Sequence, residues 1–174
     1  MTDGFSIAPA LSAKDLQSVR ELFRSYAGSL AIDLGYQGFS DEVANLPGRY
    51  AAPGGCLLLA SSIVGAPVGC VGLRLLECSG YCEMKRLYVL PSTRGSGLGR
   101  SLTLQAMNEA AHLGYRRMRL DTLNTMHAAI ALYEQLGFER ILAYYHPVPP
   151  GTVFMEFDML AGQYRRAGTK TWNP

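Results

Sequence analysis

The segment "RLYVLPSTRGSGLGRSL", positions 86–102, sets three glycines between an apolar run and an amphipathic one. The apolar run stops at Pro91, which has no backbone N–H to offer a sheet. Gly95, Gly97 and Gly99 follow at alternate positions, and Leu98, Leu102 and Ala106 then recur at helical spacing. A strand handed to a helix through so mobile a turn points to an α/β chain. It also makes an anion site. Glycine lets a ligand sit against bare N–H groups. A helix N-terminus adds unpaired donors and the positive end of its dipole. Taken alone, the glycines fit poorly with two familiar phosphate loops. The dinucleotide fingerprint G-x-G-x-x-G, begun at Gly95, needs glycine where Arg100 stands. The P-loop needs a Gly-Lys pair that is absent here. A tight packing turn is the third alternative.

The rest of the chain alternates between the two periods. Residues 5–8 read as a first strand. Ser12 is a helix N-cap with Asp15 three places on, where a capping box usually has Glu or Gln. Leu16, Val19, Leu22, Phe23 and Tyr26 then carry a helix to about position 30. The stretch 33–55 is broken by Gly and Pro, with a short helix capped by Ser40, and is long enough for a functional loop. Two strands follow around a hairpin at 65–67, then a strand over 81–89, a helix over 96–112 closed by Gly114, and a strand over 116–122. A helix capped by Asn124 or Thr125 runs to 136 and stops at Gly137; strands over 138–146 and 152–160 finish the fold. The order β-α-α-β-β-β-α-β-α-β-β describes a single mixed α/β domain over 1–162, with a polar tail over 163–174.

The 174 residues carry a net charge of +2 and are 48% hydrophobic, enough for one core. So mild a charge, with no block of like sign, predicts neither a nucleic-acid nor a membrane partner. No apolar run reaches the roughly 20 residues of a membrane span, and no signal peptide is visible. Cys56, Cys70, Cys78 and Cys82 form no C-x-x-C pair and no His cluster joins them, so free thiols in a reducing cytoplasm are expected, without a metal. His112, His127 and His146 have no triad partners in sequence, which argues against a nucleophilic hydrolase.

"VLPSTRGSGLGRSL" resembles the acetyl-coenzyme A signature of the GNAT N-acetyltransferases, R/Q-x-x-G-x-G/A. Arg94, Gly97 and Gly99 fill its fixed positions. Downstream, "AAIALYEQLGF" resembles the closing helix and Gly-Phe turn of the same family. The resemblance covers about 57–160. It implies acetyl-CoA as co-substrate, with backbone N–H groups from Arg94 through Gly95, Ser96, Gly97, Leu98 and Gly99 to Arg100 cradling the pyrophosphate. It implies that pantetheine pairs like an extra strand with Leu87 to Val89, Tyr88 between them, in a gap beside the "RLDT" strand. One position departs from the family: Met126 stands where many members have a cofactor-holding Asn, and Asn124 is out of register.

Acetyl transfer needs a neutral amine, although alkylamines have a pKa of about 10.4, and a proton for the departing thiolate, whose pKa is about 8.5. Side chains alternate along a strand, so Glu83 is expected on the face of Leu87 and Val89 and is the candidate base. Its alternative is a salt bridge to Lys85 or Arg86. Tyr133, at the family's general-acid position, is the candidate acid; its alternative is core packing. An ordinary phenol would give a rate profile that falls again near pH 10. A backbone N–H at Leu87 or a neighbouring residue is the expected oxyanion donor. Asp121 is a candidate for holding the acceptor amine, with helix capping as its alternative; residues of the two flanking loops are further candidates, Asp33, Tyr36, Phe39, Asp41, Glu42, Arg49, Tyr50 and Tyr145, with Arg49 the one suited to an amino-acid carboxylate. The expected acceptor is a small amine, amino acid or peptide terminus, and a homodimer is expected. The other reading is an acyl-CoA-binding module without catalysis.

Overall fold

A computed structural model describes residues 4–160; the expected polar tail at 163–174 lies outside them. Seven strands make one mixed sheet in the order β1-β2-β3-β4-β5-β7-β6. They are β1 (Phe5–Pro9), β2 (Cys56–Ser62), β3 (Pro67–Leu75), β4 (Tyr81–Val89), β5 (Arg117–Leu123), β6 (Glu139–Ile141) and β7 (Thr152–Asp158). The helices are α1 (Ala13–Ser29), α2 (Phe39–Ala44), α3 (Leu98–His112) and α4 (His127–Leu136). The expected order of elements is the one observed.

Ser12 and Asp15 close a reciprocal capping box at 3.0 and 3.1 Å, so a shorter Asp does the work of Glu. α2 begins earlier than expected. Gly38, with φ +66°, turns the chain into it, so Ser40 lies inside the helix and caps nothing. α4 starts at His127, and neither Asn124 nor Thr125 caps it. The expected strand over 138–146 is cut to three residues, because the chain leaves the ladder after Ile141.

Each sheet face has its own core. One is packed by α3 and α4 and holds Met84, Leu102, Met118 and Met155. The other is packed by α1 and α2 and holds Phe23, Val43, Tyr50 and Leu57. Gly72 makes the second possible. A Cβ there would stand 2.5 Å from the Tyr50 ring, so only glycine lets that ring lie on β3.

Two irregularities in β4 position the site. The first is a bulge. Cys70 pairs with Tyr88 and Gly72 with Lys85, which leaves Val71 opposite both Arg86 and Leu87. Arg86 sits at φ +59°, in left-handed backbone that few non-glycine residues adopt. The bulge reverses the alternation. Cys82 and Met84 join the α3 core before it, and Leu87 and Val89 pack on that same core after it. Glu83 therefore faces away from Leu87 and Val89, which corrects the shared face expected from period two. The second irregularity is a parting of strands. β4 and β5, the one parallel pair, bond only at Tyr81–Arg117, Cys82–Met118 and Glu83–Arg119. Beyond Glu83 they separate, and the outer edge of β4 is left open.

Candidate active site

The chain reaches the gap from β4 through a 3-10 turn, Pro91–Thr93, and then the glycines. Gly95 and Gly97 have φ +80° and +86°, and a Cβ at either would meet nothing within 4 Å. Backbone conformation, not crowding, requires glycine there. The N-cap of α3 is Gly97, which has no side chain to bond the first turn. Between Arg94, whose N–H reaches Pro91 at 3.4 Å, and Ser101, whose N–H reaches Gly97 at 3.0 Å, no backbone donor meets a protein acceptor among the described residues. Six successive N–H groups, 95–100, are thus unspent at the positive end of a helix. They can hold an anion.

This loop opens on a groove of about 910 Å³ that runs between the parted strands. Leu87, Tyr88 and Val89 line one side and Leu123, Met126 and Leu132 the other. The Val89 carbonyl points out of the ladder, where Arg94 Nε meets it at 3.2 Å. Every residue expected to hold the cofactor lines this groove except Ser96, whose hydroxyl donates to the Thr93 carbonyl at 2.7 Å. Met126 lines it too, with the Thr122 hydroxyl 3.5 Å from its sulfur, whereas Asn124 packs against Gly151.

Tyr133 is buried against Phe138, with ring centroids 5.7 Å apart. Its hydroxyl has no hydrogen-bond partner among the described residues, yet no fully buried polar atom is left unpaired. The oxygen is therefore not fully buried although the ring stays in the core, and Tyr133 is not among the residues lining either cavity. Burial raises the phenol well above its ordinary value, and Tyr26 and Asp121 add to the rise. The shift favours the protonated phenol, the form that can donate.

On the opposite face, β4 carries a buried charge network. Glu83 is 1% exposed. Arg74 of β3 grips its Oε2 at 2.8 and 2.7 Å, and the Tyr144 hydroxyl donates to its Oε1 at 2.6 Å. Its distance to Lys85 is 3.8 Å. Lys85 pairs with Asp121 of β5. Arg86 holds Glu42 of α2 with two parallel bonds of 2.9 Å and donates to the Gln37 amide oxygen at 2.8 Å. The Tyr50 hydroxyl donates to the same Glu42 at 2.8 Å. The Gln37 amide in turn donates to the Tyr36 and Tyr145 hydroxyls, each at 2.9 Å. Isolated charges are seldom this buried, and these are paired throughout.

Lys85, Arg86 and Asp121, with Gln37 and Tyr36, line a second cavity of about 30 Å³. Tyr26, Leu30 and Leu123 belong to the walls of both cavities, which therefore meet at the parted strands. Of the loop residues expected near an acceptor, Tyr36 lines this cavity, and Tyr145 is bonded to its rim through Gln37. Glu42 and Tyr50 lie behind it and support Arg86. Arg49, exposed, lines neither cavity. Sequence reasoning did not single out Arg74, Gln37 or Tyr144, nor Lys85 and Arg86 as cavity floor. The signal was present: "EMKR" places three charges among four residues of an otherwise apolar strand.

The fold fits what the comparisons show. Residues 16–138 match the model of the acetyltransferase (GNAT) family. An uncharacterised N-acetyltransferase of Schizosaccharomyces pombe is 38% identical over 88% of this chain and 94% of its own. An acyl-CoA N-acyltransferase-type structure from Klebsiella pneumoniae superposes with a TM-score of 0.68 at 29% identity, over 89% of this chain and 97% of that one. The fold is also that of a Salmonella typhimurium structure, yncA, solved with its cofactor acetyl-CoA (TM-score 0.70, 21% identity, 90% and 94% covered). The chain belongs to the GNAT family and is an acetyl-CoA-dependent N-acetyltransferase.

Two carboxyls of the network tie stability to pH. Burial disfavours the ionised form of Asp121, but Lys85, the Tyr145 hydroxyl and Arg86 outweigh it and hold the group below its ordinary value. Burial likewise opposes ionisation of Glu42, and Arg86 with the Tyr50 hydroxyl outweighs that. Both bind a proton more readily in the unfolded chain. Their stabilisation is complete above the ordinary carboxyl range and is lost as pH falls through the lower folded-state values. Urea titrations from pH 6 to 3 should show stability falling, and Glu42→Gln should flatten that slope.

Proposed function

We propose that the enzyme transfers acetyl from acetyl-CoA to a small primary amine by direct attack, with no acyl-enzyme. The observation that carries the reading is the run of six free donors at the head of a groove leading to the gap where the two cavities meet. In this reading the pyrophosphate lies on residues 95–100, with Arg94 and Arg100 beside it. Pantetheine lies along Leu87 to Val89, and the acetyl oxygen accepts from the Leu87 N–H. The amine enters from the Asp121 side.

Tyr133 gives its proton to the departing sulfur; a hydroxyl with no protein partner among the described residues, on a phenol raised by burial of its ring, supports that role. Glu83 enters as an anchor. A carboxylate gripped by Arg74 and Tyr144, on the face away from Leu87, is poorly placed to accept the amine's proton. The amine loses it to water, and Asp121 orients the neutral nitrogen.

Gly97→Asp puts a side chain on left-handed backbone and a negative charge where phosphate would lie. At such distances repulsion is worth roughly 1–4 kcal/mol. Acetyl-CoA affinity by calorimetry should fall at least tenfold in the folded variant; unchanged affinity removes the loop from the cofactor site.

Tyr133→Phe should lower kcat by roughly 10²–10⁴-fold with cofactor affinity preserved, the usual contribution of a positioned acid. Because the phenol is raised, the wild-type kcat/KM should climb with the ionisation of the amine and show no falling limb below pH 10. Glu83→Gln should lower the melting temperature, keep kcat/KM within about tenfold and leave the pH profile in place. A loss of 10²–10⁴-fold with the rising limb abolished would restore Glu83 as the base.

A further inference from the structure

The acceptor cavity has a charge asymmetry that the whole network lacks. Three cations, Arg74, Lys85 and Arg86, face three carboxylates, Glu42, Glu83 and Asp121. Only Lys85, Arg86 and Asp121 line the cavity. Glu42 is turned onto Arg86 and Tyr50, and Glu83 onto Arg74 and Tyr144. The lining therefore presents two positive charges and one negative, and both cations are 5% exposed.

The cations also keep donors in reserve. A guanidinium has five N–H bonds and an ammonium three. Arg86 spends three, two on Glu42 and one on Gln37. Lys85 spends one on Asp121, and its next nearest carboxylate oxygen is 3.8 Å away. The neighbouring aromatic rings do not form a cage for a substrate cation. Lys85 itself lies over Tyr145 at 5.8 Å, and Arg119 over Tyr144 at 5.1 Å. A volume of about 30 Å³ holds one or two waters, or one compact polar head of that size.

We propose that the acceptor is an amine that carries a carboxylate, a small α-amino acid or a close analogue. Its carboxylate replaces water on the spare donors of Lys85 and Arg86, and its nitrogen donates to Asp121 beside the cofactor groove. The inference rests on the proposed acetyl transfer to an amine and narrows its substrate. Lys85 and Arg86, not the exposed Arg49, are then the specificity-determining cations.

The test uses the full chain and the proteinogenic L-amino acids, each beside its C-terminal amide and its decarboxylated amine. Thiol release from acetyl-CoA is measured, with rates compared per neutral amine. At least one acid should exceed its amide and its amine 100-fold or more in kcat/KM. Lys85→Gln keeps a donor for Asp121 and removes the charge. It should cut that preference at least tenfold, mainly through KM, with acetyl-CoA affinity by calorimetry unchanged. Amides or amines used within threefold of the acids overturn the inference without any variant, and so does a full preference in folded Lys85→Gln. If acetyl-CoA binds and no amine turns over, the readout is the melting temperature of the CoA-loaded protein. Acids that raise it where amides do not support the carboxylate site, and equal shifts overturn it. Failure of acetyl-CoA to bind overturns the cofactor reading itself, and this inference falls with it.

Discussion

Arg86 holds the site together from an unfavourable backbone position. Left-handed φ at a non-glycine residue costs about 1–3 kcal/mol and persists only where surrounding contacts over-determine it. Here they do. The guanidinium is clamped by Glu42, bonded to Gln37 and laid over the Phe39 ring at 5.1 Å. α2 and the turn before it thus hold the bulge in β4. The bulge in turn sends Glu83 and Lys85 to one face and Leu87 and Val89 to the other. One short strand then gives a charged wall to the small cavity and an apolar wall to the groove. Uninterrupted alternation would have put charge and apolar surface on the same side.

The second constraint is the loss of pairing between β4 and β5 after Glu83. An open strand edge is normally a liability, because its N–H and C=O groups invite another strand. In this enzyme the edge faces a groove headed by the free donors of α3. The same chain reversal that ends β4 creates those donors, so edge and anion site are two results of one turn. Lys85 and Asp121 bridge the divergence lower down, where a sheet ladder would otherwise have run.

Much of this was legible in the sequence, because local chemistry decided it. The bounds of β4, the capping box at Ser12 and the glycine turn into α3 all follow from residues close together in the chain. The bulge does not. Nothing within "EMKRLYV" says that Val71 will oppose two residues, since that depends on the register with β3 and on a clamp from Glu42, 44 positions away. Reading period two straight through it put Glu83 on the wrong face. The strand expected over 138–146 failed for a similar reason. Its apolar run fits a ladder, but Tyr144 and Tyr145 bury better against Phe154, at 5.0 and 5.2 Å, with their hydroxyls on the charge network.

That early departure also shapes the rim of the sheet. Because the chain leaves after Ile141, the strand at this edge of the sheet is three residues long, and its first two are Glu139 and Arg140, both exposed. Two short, charged positions offer a neighbouring chain little to extend. The tyrosines that pack on Phe154 and bond the charge network were taken from the length of that strand, so bracing the network and blunting this rim of the sheet are achieved by the same nine residues.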